Sequence, residues 1–363
     1  MKKEIVFFMP SFEGGGVEKN IRMIANFFGS KNIKISLITA SKKVRRKFTR
    51  NIDFISPKNE YWDKKKRFIK FIICIFLLFQ IYRKNRNINV FCFQGNVLCI
   101  LFCKIFGLKI IIRPNSSPTG WSSNYFKNMI FSKILKLSDF IVVNSFDFKK
   151  ELKNKLNLDS KCIFNPLNIN EIKKLSKKKI KFKFFKRNTI NIISIGRLVK
   201  QKDHLTTLKS LKHLKNKCNF RLLILGEGDQ KEVLLNYVNK NSLNNMVKIN
   251  GRINNPYPLI KRSDILLLSS KFEGLPNVLL EAIALNKFII SSNCPTGPRE
   301  ILDNGKGGLL FKVGSHEELS EKILIYQKNY KLCLKKKKHA QKRSIRFDYK
   351  KNLNEYFNLF KKL

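Results

Sequence analysis

The chain has 363 residues, 74 of them Lys or Arg against 25 Asp or Glu, for a formal charge of +49. Its 43% hydrophobic content excludes a disordered polyelectrolyte, and its length accommodates two domains with separate cores. Eight scattered cysteines without a CxxC pair exclude a disulfide framework or cysteine zinc site and fit a reducing, cytoplasmic compartment.

The charge has two readings. A basic face would suit a polyanionic partner: phosphorylated substrates, an anionic membrane surface or nucleic acid. Alternatively, the abundant Lys, Asn, Ile and Phe reflect A/T-rich codons, and the lysines coat a solvated surface. The sequence shows no defined nucleic-acid-binding module, so nucleic acid is not expected.

From the N-terminus, Met1–Glu4 and the apolar Ile5–Phe8 are too short for a signal peptide and break at Pro10; Ile5–Met9 reads as a strand. Gly14-Gly15-Gly16 then opens a helix over Val17–Phe28. Strands follow at Ile35–Thr39, Val90–Phe93, Lys109–Ile112 and Phe140–Asn144, with helical segments at Trp62–Arg83 and Phe126–Leu137. The apolar run Phe71–Phe79 falls well short of the roughly 20 residues a membrane span needs. Flanked by Lys64–Arg67 and Arg83-Lys84, it reads either as a buried core helix or as an interfacial helix held to anionic lipid. The Lys-rich Lys173–Lys186 reads as an inter-domain linker or basic insertion, within 167–188. A second series places strands at Asn191–Ile195, Arg221–Leu225, Val247–Asn250, Ile265–Ser269 and Phe288–Ser292. Two alternating series predict an α/β chain of two Rossmann-like domains, 1–166 and 189–346. The tail is basic, then amphipathic at Tyr349, Leu353, Tyr356, Phe357 and Phe360, which predicts a helix packing one face on a domain.

Three strand-to-helix turns carry the residues of chemical interest, where open α/β sheets bind ligands. The first is the Gly14–Gly16 turn, whose glycines admit close backbone approach. The second is Gly196–Asp203. There Arg197 and Lys202 flank a helix N-terminus, with Asp203 expected as N-cap. The third is Phe272–Glu281, with Glu273 in a Gly/Pro-rich loop and Glu281 in the following helix, and with Asn277 expected as N-cap. Backbone N–H groups at such a helix start suit a phosphate, while carboxylates on either side can accept sugar hydroxyls. Negative charge near a helix N-terminus is favourable in any case, so a purely structural role stays open.

Gly196-Arg197-x4-Lys202 followed by Phe272-Glu273-Gly274-x-Pro276-Asn277-x3-Glu281 resembles the donor site of retaining GT-B glycosyltransferases of glycosyltransferase family 4. Gly14–Glu18, the turn Gly226-Glu227-Gly228 and the ending 347–363 match the family in order and position. The resemblance implies a GT-B architecture with a cleft between two domains and a last helix, 347–363, crossing back to the first. It implies that Arg197 and Lys202 neutralise a leaving diphosphate and that Glu273 accepts donor-sugar hydroxyls, these three being the catalytic residues. Gly196, Glu227, Gly274, Leu275, Asn277 and Val278 would contact the donor, Glu281 its ribose, and Gly15 and Gly16 its diphosphate. No Asp-x-Asp occurs, so no metal or other cofactor is expected, and cationic side chains would stabilise the leaving group. The family's histidine after the middle first-domain strand is absent. The strand ends Ile112-Arg113-Pro114-Asn115, leaving Arg113 and Asn115 as acceptor-side candidates. Asn293–Glu300 resembles a signature of bacterial surface-glycan transferases and tilts the donor toward UDP-hexose or UDP-N-acetylhexosamine. The implied acceptor is a growing oligosaccharide, polyprenyl-diphosphate-linked or part of a lipopolysaccharide or capsule, at the inner face of the cytoplasmic membrane. The rival readings are an inactive scaffold of the same fold and a basic polyanion-binding protein. A sugar-nucleotide epimerase fits poorly, because it needs acid/base residues facing the sugar and His204, His213, His316 and His339 fall at poor positions for that.

Overall fold

The computed structural model describes residues 4–31, 33–115, 118 and 125–363. Met1–Lys3 of the expected N-terminal reading lie outside them. The chain forms two compact units, one made of the residues up to Pro166 together with Lys350–Leu363, the other of Leu167–Tyr349.

In the first unit the strands are β1 (Glu4–Phe8), β2 (Ile35–Ile38), β3 (Ile52–Ile55), β4 (Ile88–Cys92), β5 (Lys109–Ile112), β6 (Phe140–Val143) and β7 (Lys161–Cys162). They pair in parallel in the order β3-β2-β1-β4-β5-β6-β7. Helices α1 (Gly16–Gly29), α2 (Arg67–Lys84), α3 (Asn96–Ile105), α4 (Tyr125–Lys136) and α5 (Phe146–Leu156) connect them, with a short 3-10 turn at Glu60–Lys64 before α2. β1 is buried throughout, so its side chains divide between two apolar layers with period two. Val6 and Phe8, with Val90, Cys92, Ile110 and Ile112, pack on Cys74 and Leu78 of α2 and Ile100 and Cys103 of α3. Phe7 and Phe91 turn to the opposite layer, where Phe7 meets Phe28 of α1. The last helix, α14 (Tyr349–Phe360), joins that second layer: Phe28 lies edge-on to Phe357 at 5.4 Å, and Tyr356 packs on Phe91. The amphipathic ending therefore completes the core of the first unit.

The second unit opens with α6 (Ile169–Ser176), and its strands are β8 (Ile190–Ile195), β9 (Phe220–Leu225), β10 (Val247–Asn250), β11 (Ile265–Leu268), β12 (Phe288–Ser292) and β13 (Leu309–Phe311). They form a parallel sheet in the order β10-β9-β8-β11-β12-β13. Its helices are α7 (His204–Leu214), α8 (Lys231–Lys240), α9 (Tyr257–Arg262), α10 (Asn277–Ala284), α11 (Pro298–Ile301), α12 (His316–Lys328) and α13 (Tyr330–Arg343).

The stretch expected as a linker is a strap on this unit. Asn168 caps α6 through Glu171 N, Ile172 is buried, and α6 packs on α9 and α10. Further along, Arg221 donates to the Phe184 carbonyl at 3.0 Å and lies over its ring. The lysines between these anchors obscure the apolar spacing in sequence. Strands β3, β7 and β13 were not expected either. They are short edge or near-edge strands of two to four residues, too brief for a period to register.

Each sheet reverses its strand order once, between β1 and β4 in the first unit and between β8 and β11 in the second. Open parallel sheets bind ligands at the carboxyl ends of the strands beside such a reversal.

Candidate functional site

Beyond β8 the chain turns through Gly196, Arg197 and Leu198 before α7. Leu198 is buried, Arg197 is exposed, and the stem of Lys202 folds over Gly196. The neighbouring turn fits against this one closely. A Cβ on Gly226 would collide with the Gly196 carbonyl oxygen, and one on Gly228 with that of Leu198. Leu198 N donates to Glu227 O at 2.8 Å, which locks the two turns together. Glu227 itself is exposed and accepts from Arg252 N at 3.4 Å.

Beyond β11, Glu273 is buried at 7% exposure, and its Oε1 lies 2.5 Å from Lys202 Nζ. Ser270 Oγ donates to the same oxygen at 2.6 Å. Lys202 and Glu273, 71 residues apart in sequence, are thus one ion pair across the β8/β11 reversal. Backbone and side-chain bonds fix it in place. Gln201 Nε2 donates to Phe272 O at 2.8 Å, and Ser269 Oγ donates to Lys202 O at 3.0 Å. Thr296 Oγ1, beyond β12, donates to Glu273 O at 2.5 Å. At Gly297 (φ 84°) a Cβ would strike Gly274 O and Pro276. The Asn293–Glu300 turn therefore buttresses the Glu273 loop. Cys294 within it is no nucleophile: burial, with the Glu273 charge adding, pushes its thiol up to about 12.

Gly274 and Leu275 are buried and lead into α10, whose first turn holds no acidic residue. Pro276, not Asn277, occupies the N-cap, and Asn277 and Val278 are the first helical residues, half-buried. Proline offers no side-chain acceptor, so no side chain of the N-cap residue covers the first N–H groups of α10. Glu281 is half-buried on α10 and accepts from Tyr257 OH of α9 at 3.4 Å. Asp203 holds the N-cap position of α7 but in a left-handed conformation, and its carboxylate accepts the Thr206 hydroxyl at 2.8 Å instead of capping a backbone N–H. Behind it, His204 is neutral at pH 7, because burial, aided by the Lys202 charge, depresses it to about 4.

In the first unit, Gly15 is the N-cap of α1, and a Cβ there would meet open space. Gly16 follows it as the first helical residue, while Glu18 accepts a hydrogen bond from Gly14 N. The two acceptor-side candidates are placed otherwise than expected. Arg113 is 1% exposed; its guanidinium donates to Tyr356 OH at 3.0 Å, Asn115 Oδ1 at 3.1 Å and Asn165 Oδ1 at 2.5 Å. Asn115 in turn donates to Phe93 O. Arg113 is an internal strut that ties β5 to α14, not a surface group awaiting an acceptor.

Sequence reading missed Ser270, Thr296, Gln201 and Tyr257. The Ser269-Ser270 pair just after β11 was visible, but hydroxyls carry no spacing signature. Among the described residues, the one grouping of three metal-capable side chains is His213, His316 and Glu317, on α7 and α12 and outside these loops.

Residues 176–343 match the family model for glycosyl transferases group 1. An uncharacterized glycosyltransferase of Methanocaldococcus jannaschii is 34% identical over 62% of this chain and 63% of its own length, so the match spans under two thirds of that relative. A Campylobacter jejuni enzyme, N-acetylgalactosamine-N,N'-diacetylbacillosaminyl-diphospho-undecaprenol 4-alpha-N-acetylgalactosaminyltransferase, is 25% identical over 95% of this chain and 96% of its own. The Anabaena protein HepE, solved with UDP and glucose, superposes with a TM-score of 0.81 at 15% identity, covering 99% of this chain and 100% of that one. Residues 176–343 are thus similar to the glycosyl transferases group 1 family, and the two parallel sheets with their helices give the chain the α/β two-domain GT-B fold.

Proposed function

We propose that the protein is a retaining, metal-independent glycosyltransferase of family 4. It would move a hexosyl or N-acetylhexosaminyl group from a UDP-sugar to a polyprenyl-diphosphate-linked or related surface-glycan intermediate. The observation that carries this reading is the Lys202–Glu273 pair at the β8/β11 reversal, beside the acid-free start of α10. The donor diphosphate sits at that helix start, with Lys202 and Arg197 opposing its charge. Glu273 already holds an ammonium and a hydroxyl on Oε1, and it uses its remaining lone pairs for donor-sugar hydroxyls. Glu281, oriented by Tyr257, takes the ribose hydroxyls.

In the transfer, the bond from the anomeric carbon to the phosphate oxygen breaks and a bond to the acceptor oxygen forms on the same face. The acceptor proton passes to the departing phosphate oxygen. The Lys202 and Arg197 charges stabilise the diphosphate as its negative charge grows, which is electrostatic preorganisation without a Lewis acid. The Campylobacter relative is named for a diphospho-undecaprenol acceptor and an α linkage, which supports a lipid-linked acceptor and retention. Cytoplasmic placement follows from the same reading, since UDP-sugars and free thiols belong there.

The test is calorimetric titration of UDP-, GDP- and ADP-sugars in EDTA, with Glu281→Ala and Arg197→Ala alongside. Selective UDP-sugar binding is expected, weakened about 10- to 100-fold by Glu281→Ala, as for a polar group left unpaired. No nucleotide-sugar binding, or binding unchanged in both variants, would bring forward the inactive-scaffold and polyanion readings. A β-configured product would overturn retention.

A further inference from the structure

Helices α2, α3 and α4 cover one face of the first unit's sheet and pack side by side, α2 on α3 and α3 on α4. α2 and α3 run in the same direction: Gly95 abuts Phe71, Phe79 meets Phe102, and Tyr82 meets Phe106. α2 buries Lys70, Cys74, Leu78 and Ile81, which reconciles half of the earlier alternative: one side of the helix is core. Its opposite side is also apolar. Phe68, Ile72 and Phe76, spaced four apart, are 63%, 51% and 60% exposed. On α3, Ile105 is 76% exposed, and on α4, Ile130 is 52% exposed. Three neighbouring helices thus turn large apolar side chains outward, which a solvated surface does not ordinarily do over a contiguous area.

Charge distinguishes this face from a plain protein interface. No Asp or Glu occurs in α2, α3 or α4, while exposed Arg67, Arg83, Lys84, Lys133 and Lys136 rim the apolar stripes. Among the described residues, no helix is long and apolar enough to cross a membrane. The flanking Asp63 and Asp139 are already paired with Lys70, Lys104 and Lys109. Outward aromatic and aliphatic stripes on acid-free helices, on segments too short or too charged to span, fit an interfacial surface. Its chemistry matches the acyl boundary and anionic headgroups of a bilayer.

We infer that the α2–α4 face docks the protein on an anionic lipid bilayer. Phe68, Ile72, Phe76, Ile105 and Ile130 enter the headgroup boundary, and the flanking Lys and Arg side chains pair with lipid phosphates. This deepens the proposed reading by giving the surface at which a lipid-linked acceptor is met. Its geometry, however, rests on the first unit alone.

Flotation of the full chain with phosphatidylcholine vesicles, with and without phosphatidylglycerol, tests it. We expect binding to the anionic vesicles that weakens as salt is raised. Phe68→Ser/Ile72→Ser/Phe76→Ser should cut that binding about tenfold, and Ile105→Ser/Ile130→Ser should cut it by a smaller factor. Thermal melts and UDP-sugar calorimetry on both variants should match the parent, so that loss of docking is separable from misfolding and from failure of the donor site. No enrichment on anionic vesicles, or equal binding by both variants, overturns the inference. So does a dimer in solution that the triple variant dissociates without any vesicle binding, which would make the face a contact between two copies.

Discussion

Both sheets reverse strand order once, and each reversal has an arginine one or two residues beyond a strand nearby, yet the two arginines serve different ends. Arg197 follows β8 on an exposed turn beside Lys202 and Glu273. Arg113 follows β5 and is sealed inside, held by Tyr356, Asn115 and Asn165. The helix starts differ in the same sense. α1 carries Glu18 in its first turn, bonded back to Gly14 N, whereas α10 has no acidic first-turn residue to compete with an anion. The fold supplies a strand-order reversal twice; loop chemistry makes the second the better match for the proposed diphosphate.

The largest effect should come from breaking the equipped site. Lys202→Ala is expected to lower kcat about 10²–10³-fold, as for loss of one preorganised charge donor. It also leaves Glu273 buried without its ammonium. Glu273→Gln in the same background should then add much less than it does alone, because the two side chains act as one unit. Full additivity in steady-state kinetics would mean that they work independently.

On the other side of the comparison, Arg113→Met should leave donor affinity unchanged but destabilise the protein by about 3 kcal/mol, because buried Tyr356 and Asn165 and half-buried Asn115 lose a donor. Chemical denaturation followed by aromatic fluorescence reads this. Intact stability with lost acceptor turnover would restore Arg113 to the acceptor side.

A comparable but pH-dependent loss is expected at His204. Its folded-state value, depressed to about 4 by burial and Lys202, lies below the ordinary value of 6.5. The unfolded chain therefore binds the extra proton first. This contribution is fully present above pH 6.5 and is lost as pH falls toward 4, where the loss reaches about 3 kcal/mol. Denaturation midpoints measured across that window should fall more steeply for the parent than for His204→Gln. Parallel slopes would show that the ring is not held neutral.

What was legible beforehand follows the same division. The alternation of apolar runs revealed both parallel sheets, because fully buried strands such as Ile265–Leu268 read as unbroken apolar blocks. The Gly196–Lys202 and Phe272–Glu281 motifs marked two turns whose Lys202 and Glu273 the fold brings into one ion pair. Arg113 was misjudged because sequence shows that a residue is charged but not that Tyr356, 243 positions later, folds back over it. The strap at 167–188 was misjudged because its lysines outnumber its anchors Ile172 and Phe184. The hydroxyls supporting Glu273 were invisible because they come from two different strand ends.

The smallest effect tests those hydroxyls. Thr296 sits at φ 59° and donates from Oγ1 to the Glu273 carbonyl. Thr296→Val keeps the β-branched shape and therefore any backbone strain, and removes only the donor. The orphaned buried carbonyl should cost about 1 kcal/mol of stability. Because Thr296 touches the backbone of Glu273 rather than its carboxylate, its effect on turnover should arise from position. We expect kcat to fall severalfold with little change in UDP affinity, and Thr296→Ser to recover it. If Val and Ser variants behave alike, the shape of the Pro295–Gly297 turn, with Gly297 pressed on Gly274, positions Glu273 by itself, and the hydroxyl is dispensable.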